Sequence, residues 1–297
     1  MKRFTFLPGL RRTVLDVGTV QIGTDPERAL VLEFPDPKIL TLLACLDDWH
    51  DERSYHDAAR RIGVTPTSAK ELLSLLRHGR LLIDPAGLIT SAADAGLRRE
   101  HADEAAALAL RRGDSPADMM GIRGRQRVVV HGTDPIAARI ADVLRRSGVG
   151  RVRHQETVRP GEAGFAVLVN SPQPPVLTAR AHARRDLPYL VVASSDGAVN
   201  VGPLVVPGHT PCIACVELHH RDAVPMWRDF GADTAPIEAT LRELAASVAS
   251  CQVMQFLDGS TGSAHGATIQ LRAPFHMRRR VWREHASCGC IAVEAAA

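Results

Sequence analysis

The chain has 297 residues, 45% of them hydrophobic and 23% charged, with a formal net charge of +3. That length suits two domains. The small charge neither demands nor excludes a nucleic-acid partner, and no stretch approaches the roughly 18 apolar residues of a membrane span. Aromatic residues make up only 4% of the chain, so its cores must be built from Leu, Val, Ile and Ala. The opening MKRFTFLPGLRR holds no apolar run long enough for a signal peptide, and cytoplasm is the expected compartment.

In chain order, residues 1–92 read as a small α+β module. Thr19 to Ile22 and Ala29 to Phe34 are expected strands around the turn-forming Gly23-Thr24-Asp25-Pro26. Asp36-Pro37 opens a helix with Asp as N-cap and Pro at N1, and its apolar face is Ile39, Leu42, Leu43 and Leu46. A second helix, Ser54 to Ile62, stops at Gly63. A third is capped by Thr65, carries Ala69, Leu72, Leu73, Leu75 and Leu76, and ends near Gly79 before a short strand at Leu81 to Ile83. Helix, turn, helix, strand is the layout of a winged helix-turn-helix. Such a module binds DNA through its third helix, or a peptide along a strand edge beside that helix, or serves only for packing or dimerisation. The outer side of the third helix offers Ser68, Lys70, Glu71, Ser74, Arg77, His78 and Arg80. An acid among the cations and no Asn or Gln for adenine make a poor major-groove surface.

Residues 93–125 read as a helical connector. Asp94 can cap a helix over Leu97 to Arg112, Gly113 to Pro116 ends it, and Gly121 to Gly124 is expected to be a flexible joint. Residues 126–297 open as a βαβ unit. Val128 to Val130 is a strand, Asp134-Pro135 starts a helix with Ile136, Ile140, Val143 and Leu144 inward, and Gly148 precedes a strand at Val149 to His154. Phe165 to Val169 and Tyr189 to Ala193 continue the strands, with Thr178 to Arg185 helical between them. Pro236 to Leu257 is a long helix, and Ala267 to Leu271 and Met277 to Trp282 are strands. Strands alternating with helices imply a parallel sheet covered on both faces.

The strongest chemical signal is a pair of cysteine motifs, Cys212 and Cys215 as C-x-x-C and Cys288 and Cys290 as C-x-C. Two short Cys pairs in a chain of this type point to a tetrahedral structural zinc before a disulfide. The alternatives are four reduced thiols, or a redox C-x-x-C, which would sit at a helix start after a strand in a thioredoxin-like unit that the surrounding sequence does not offer. His285, His219 and His220 are spare ligand candidates. Cys45 and Cys251 lie among apolar neighbours and read as small core residues, Cys251 being no evident nucleophile.

Together, Gly132, Gly148-Val149-Gly150, the P-x-x-x-P-C-x-x-C from Pro207 to Cys215 and the closing C-x-C resemble the ThiF/MoeB branch of the ubiquitin-activating-enzyme-like superfamily. The closing H-x-x-C-x-C and the winged module look more narrowly like the ThiF-like partner of YcaO cyclodehydratases, with a PqqD-like module that holds a leader peptide. The resemblance implies an α/β, Rossmann-like and mainly parallel sheet domain with structural zinc, preceded by a small winged-helix (α+β) module. It also implies a non-catalytic role, binding a precursor peptide and presenting it to a partner enzyme, and, from the superfamily, a homodimer.

Whether the ancestral ATP-dependent adenylation persists can be judged on the residues. The phosphate loop should read G-x-G-x-x-G or A, and here Asp134 stands at the second glycine of Gly132-Thr133-Asp134-Pro135-Ile136-Ala137. A carboxylate aimed at polyphosphate costs on the order of a few kcal/mol at about 4 Å and an effective dielectric near 20. Read locally, Asp134-Pro135 is simply a well-made helix start. Glu156 or Gln155 falls where an acid would hold the ribose. The chain has no lysine beyond Lys70, and Asn170-Ser171 stands where a magnesium-binding Asp is expected. Gly132, Asp134 and Glu156 are thus a degenerate nucleotide loop, and ATP is not an expected cofactor. The expected ligands are zinc, on Cys212, Cys215, Cys288 and Cys290, and a peptide or protein. A working adenylyltransferase acting on a small carrier protein or peptide C-terminus is the alternative, and a winged-helix DNA-binding regulator is the second.

Overall fold

A computed structural model of the chain describes residues 3–27, 29–83, 95–112, 116–155, 163–226 and 236–290. Contacts divide it into two units, Met1–Gly121 and Ile122–Ala297.

The first unit is built on well-made helix ends. Asp51 caps α2 (Glu52–Ile62), accepting from the Ser54 amide at 2.8 Å while Ser54 Oγ accepts from the Asp51 amide at 3.0 Å. Gly63 ends α2 in the left-handed region, at φ +83°. Thr65 then caps α3 (Pro66–His78), with Pro66 at its start. The buried Tyr55 hydroxyl donates to the Ala69 carbonyl at 2.8 Å and ties α2 to α3. With α1 (Lys38–Cys45) these helices enclose Leu42, Leu46, Leu72 and Leu76, each contributing about 1.5–3 kcal/mol through burial. Leu75, expected on the inner face, is 41% exposed because on the helix wheel it lies about 60° outside the buried arc of Ala69, Leu72, Leu73 and Leu76.

Two small sheets complete the unit. β1 (Thr5–Phe6) pairs with β5 (Leu82–Ile83), and β2 (Arg12–Val14), β3 (Thr19–Ile22) and β4 (Leu30–Glu33) form an antiparallel three-stranded sheet in that order. β1 and β2 are not legible in the sequence, being only two and three residues long. α4 (Ala95–Arg112) follows.

α5 (Pro116–Arg125) runs through the expected flexible joint. Arg123 pins it, donating to both Asp258 carboxylate oxygens at 2.7 Å and to the Ser147 carbonyl at 3.1 Å, with both charged side chains no more than 1% exposed. Gly124 also packs on Gly150, where an added Cβ would lie 1.8 Å from the Gly124 carbonyl oxygen.

The second unit holds a seven-stranded sheet. β7 (Arg151–Gln155), β6 (Arg127–His131), β8 (Phe165–Val169) and β9 (Tyr189–Ser195) run parallel in that spatial order. β10 (Ala198–Val205), β11 (Ala267–Arg272) and β12 (His276–Val281) extend it antiparallel, β12 lying at the edge. α6 (Pro135–Arg146) and α9 (Ala239–Leu257) cover one face around Val128, Val167, Ile140, Leu144 and Val253. α7 (Pro175–Ala183) and α8 (Ile213–Ala223) cover the other around Ala166, Leu168 and Tyr189. β8 is buried along its whole length, as a central parallel strand should be. Cys251, expected in the core, is exposed: α9 is apolar on nearly all sides, so composition does not reveal its outer face. Cys45, at the end of α1, is half-buried. Among the described residues no helix is long and apolar enough to cross a membrane.

Candidate functional site

β10 delivers the chain to a turn in which Thr210 Oγ1 accepts from the Val206 amide at 2.9 Å. Cys212 then stands at the N-cap of α8 with Cys215 in its first turn. Beyond β12, Trp282 Nε1 donates to Thr268 Oγ1 at 2.8 Å, and a turn closed by the Cys288 amide on the His285 carbonyl presents Cys288 and Cys290. The four thiols come together: Sγ atoms are 4.0 Å apart for Cys212–Cys215, 3.5 Å for Cys212–Cys288 and 3.4 Å for Cys215–Cys290, all lying within 4.8 Å of one another. A tetrahedral ion with metal–sulfur bonds of about 2.3 Å requires sulfurs about 3.8 Å apart. The donor set therefore fits a four-thiolate ion. The His285 amide also points at Cys215 Sγ, at 3.5 Å.

The electrostatics agree. The neighbouring Cys212 thiol and the His285 amide favour the Cys215 thiolate, drawing its pKa down to about 4. The hydrogen bond to that thiolate, and then burial, push Cys212 up. Burial is the main cause that raises Cys288, and Cys290 to about 12. Four clustered sulfurs cannot all ionise without a cation among them, and a divalent metal supplies that charge while displacing the protons.

Cys212 does stand at a helix start that follows a strand, β10, but that strand is antiparallel to both of its neighbours. The convergence of Cys288 and Cys290 on the same point is what favours metal binding.

His219, Asp222 and His285 form a second cluster, with ligand atoms within 4.8 Å. Here the hydrogen bonds oppose a metal. His285 Nδ1 accepts from the Ser287 amide at 3.1 Å, so the neutral ring carries its proton on Nε2 and donates it to Asp222 at 2.9 Å. His219 Nε2 donates to the Arg283 carbonyl at 3.0 Å. These groups brace α8 against the segment that carries Cys288. His220 instead lies edge-on to Trp282, 5.2 Å between ring centroids.

The segment expected to be a degenerate nucleotide loop lies between β6 and α6. Gly132 has φ +136°, and an added Cβ would meet the Val169 carbonyl oxygen at 2.5 Å. Its carbonyl accepts from His154 Nε2 at 2.8 Å. Asp134 caps α6 and is 9% exposed. Its Oδ1 accepts from the Ile136 amide at 2.8 Å and its Oδ2 from Asn170 Nδ2 at 3.0 Å. Asn170 Oδ1 in turn accepts from the Ser194 amide at 2.8 Å. Every early donor of α6 is thereby committed: Pro135 has no N–H, Ile136 serves the Asp134 side chain, and Ala137 serves the Asp134 carbonyl at 2.9 Å. The helix terminus that would face a phosphate is filled by the chain's own carboxylate. Glu156 lies outside the described residues.

The sequence does not reveal a groove of ≈460 Å³ between α7–α8 and the opposite sheet face, lined by Asn170, Asn200, Gln270, Arg272, Arg278 and Arg280 among others. The polar alternation in Thr268-Ile269-Gln270-Leu271-Arg272 is its one sequence signal, since a strand fully buried on both faces would not show it.

No family model matches the sequence, and no curated protein matches it. Solved structures do. E. coli MccB with AMPCPP and MccA is 13% identical, with a TM-score of 0.64 over 97% of this chain and 99% of that one. A heterocyclase in complex with substrate and cofactor is 15% identical, with a TM-score of 0.69 over 98% of this chain and 40% of that one. The heterocyclase TruD is 15% identical, with a TM-score of 0.67, 98% of this chain spanning 43% of it. The antiparallel extension of the sheet, the four converging thiols and superpositions that cover 97–98% of this chain lead to one conclusion: the chain carries the ThiF-like fold.

Proposed function

We propose that this chain is a catalytically silent, zinc-stapled ThiF-like protein that binds a precursor peptide at its N-terminal winged module and presents it to a partner enzyme, such as a YcaO-type cyclodehydratase. The observation that carries this reading is Asp134, whose carboxylate takes up the donors an adenylating enzyme needs for phosphate. The spacing of the four sulfurs supports zinc.

The N-terminal unit supports peptide binding. Among the described residues β4 pairs only with β3, so one edge of the strand is open to an added strand. Leu30 and Val31 there are 40% and 60% exposed. A groove of ≈700 Å³ begins beside Leu30 and runs past Gly79 and Arg80 at the end of α3. DNA reading through α3 is disfavoured because Arg77 is engaged by Glu52 at 2.8 Å. The chain matches 40% of a heterocyclase, and the reading assigns the remaining chemistry to a separate partner.

Calorimetric titration of the metal-loaded protein with magnesium and ATP tests the silent site. No saturable heat is expected at millimolar ATP. MccB has been crystallised with ATP, and micromolar binding here, with ATP–pyrophosphate exchange, would establish the adenylyltransferase alternative instead. Pull-down with Val31→Pro in the full chain should lose the peptide partner, and a gel shift at low salt that survives this change would favour the DNA reading.

A further inference from the structure

We propose that the groove between α7–α8 and the antiparallel half of the sheet is a second peptide-binding surface, one that holds an acidic segment through Arg272, Arg278 and Arg280. The idea that the ligand is a peptide rests on the proposed function, whereas the cationic wall does not.

Strand alternation builds that wall. Ile269 and Leu271 of β11 enter the core under α9, so Thr268, Gln270 and Arg272 face the groove. Register sets Arg278 opposite Gln270 and Arg280 opposite Thr268, with Asn200 on the other side of Gln270. The amides form a row: Arg272 Nε donates to Gln270 Oε1 at 3.2 Å, and Gln270 Nε2 donates to Asn200 Oδ1 at 3.2 Å. Arg280 stacks on Trp282, 4.0 Å from the ring centroid, which holds its guanidinium plane. Among the described residues none of the three arginines is ion-paired. Glu217 on the helix wall is already bonded to Arg221. The groove therefore presents uncompensated guanidinium forks, which match carboxylates two bonds at a time.

The shape selects the occupant. Side chains two apart on a strand recur at about 6.8 Å, in the sheet and in an extended peptide alike. Arg278 and Arg280 thus match a Glu-x-Glu spacing, while the Asn200–Gln270 row offers amides for backbone groups and Ile213, Val216 and Pro175 give an apolar wall. A polyphosphate fits worse, because Asp196 also lines the groove and would repel a continuous run of negative charge.

The test uses fluorescein-labelled peptides with glutamate at alternate positions, and glutamine counterparts, titrated into the full-length metal-loaded protein by anisotropy. The glutamate peptide should bind at least about tenfold more tightly. Arg278→Gln with Arg280→Gln should abolish that preference while leaving the melting curve unchanged. Equal binding of the two peptides, or an unaffected double variant, overturns the proposal. So does tighter displacement by a single-stranded oligonucleotide, which would mark a general polyanion surface. Val31→Pro separates the two ideas. If glutamate-dependent binding is lost there and kept in the arginine variant, the groove proposal fails and the N-terminal reading stands. The reverse pattern supports the groove, and the N-terminal reading then stands or falls on its own pull-down with Val31→Pro.

Discussion

Replacing Asp134 with Ala tests whether the helix start is occupied from within. The change deletes an N-cap, at a cost of about 1 kcal/mol. It also strands the Asn170 amide, whose other acceptor, Ser194 Oγ, is 3.4 Å away, adding about 1–2 kcal/mol. The sum is about 2–3 kcal/mol, and with a urea slope of about 2–3 kcal/mol per molar the unfolding midpoint should fall by about 1 M. Asp134→Asn keeps a cap of equal rank and should recover about half of the loss. Neither variant should gain ATP binding, because Pro135 still lacks an N–H and His154 still engages the Gly132 carbonyl. An unchanged midpoint for Asp134→Ala would show that the carboxylate is not engaged. ATP binding that appears in the Ala variant would show that the carboxylate alone excluded phosphate and that neither Pro135 nor the His154 bond closes the site.

Metal analysis of the purified chain should return one zinc, and Cys212→Ser or Cys288→Ser should release it, with the second unit melting at lower temperature; a folded, metal-free protein with four free thiols would contradict this. Asp258→Ala leaves the buried Arg123 guanidinium uncompensated and should cost about 3–5 kcal/mol in urea unfolding, whereas replacing both partners with apolar residues should restore much of it. His182 donates from Nδ1 to the Thr178 carbonyl and keeps Nε2 buried without a partner, and burial holds its pKa below the ordinary value of 6.5. The unfolded chain therefore takes up the proton first on acidification. The contribution of neutral His182 is complete above about pH 6.5 and declines below it. His182→Gln should flatten the fall in melting temperature between neutral pH and mild acid.

Local rules made much of the fold readable. Asp134-Pro135 starts α6 where its capping chemistry says it should, and the unbroken apolar run of Phe165–Val169 is the buried strand β8. The thiol cluster was readable because paired cysteines keep their meaning whatever the intervening chain does. β10 was not readable. Gly202-Pro203 lies inside it, a pair that ordinarily ends a strand, and the ladder tolerates it through a register shift between Val201 and Leu204. α5 reads as a joint because of Gly121 and Gly124, but a buried ion pair with a residue far along the chain overrides that local weakness. The Asp134–Asn170 bond lies beyond sequence reading for the same reason: it depends on two parallel strand ends meeting side by side.

The thiol cluster joins positions 75 and 76 residues apart, and only the folded chain brings them together. Any ion held there stabilises by mass action, adding about 1.4 kcal/mol for each tenfold rise in free metal above its dissociation constant. Metal loss would first free the segment beyond β12, and with it the outermost strand of the sheet. An unpinned edge strand is a template for pairing with other chains. The persistence of this protein in a cell would then follow the supply of whatever ion fills the cluster, with scarcity appearing first as aggregation through β12.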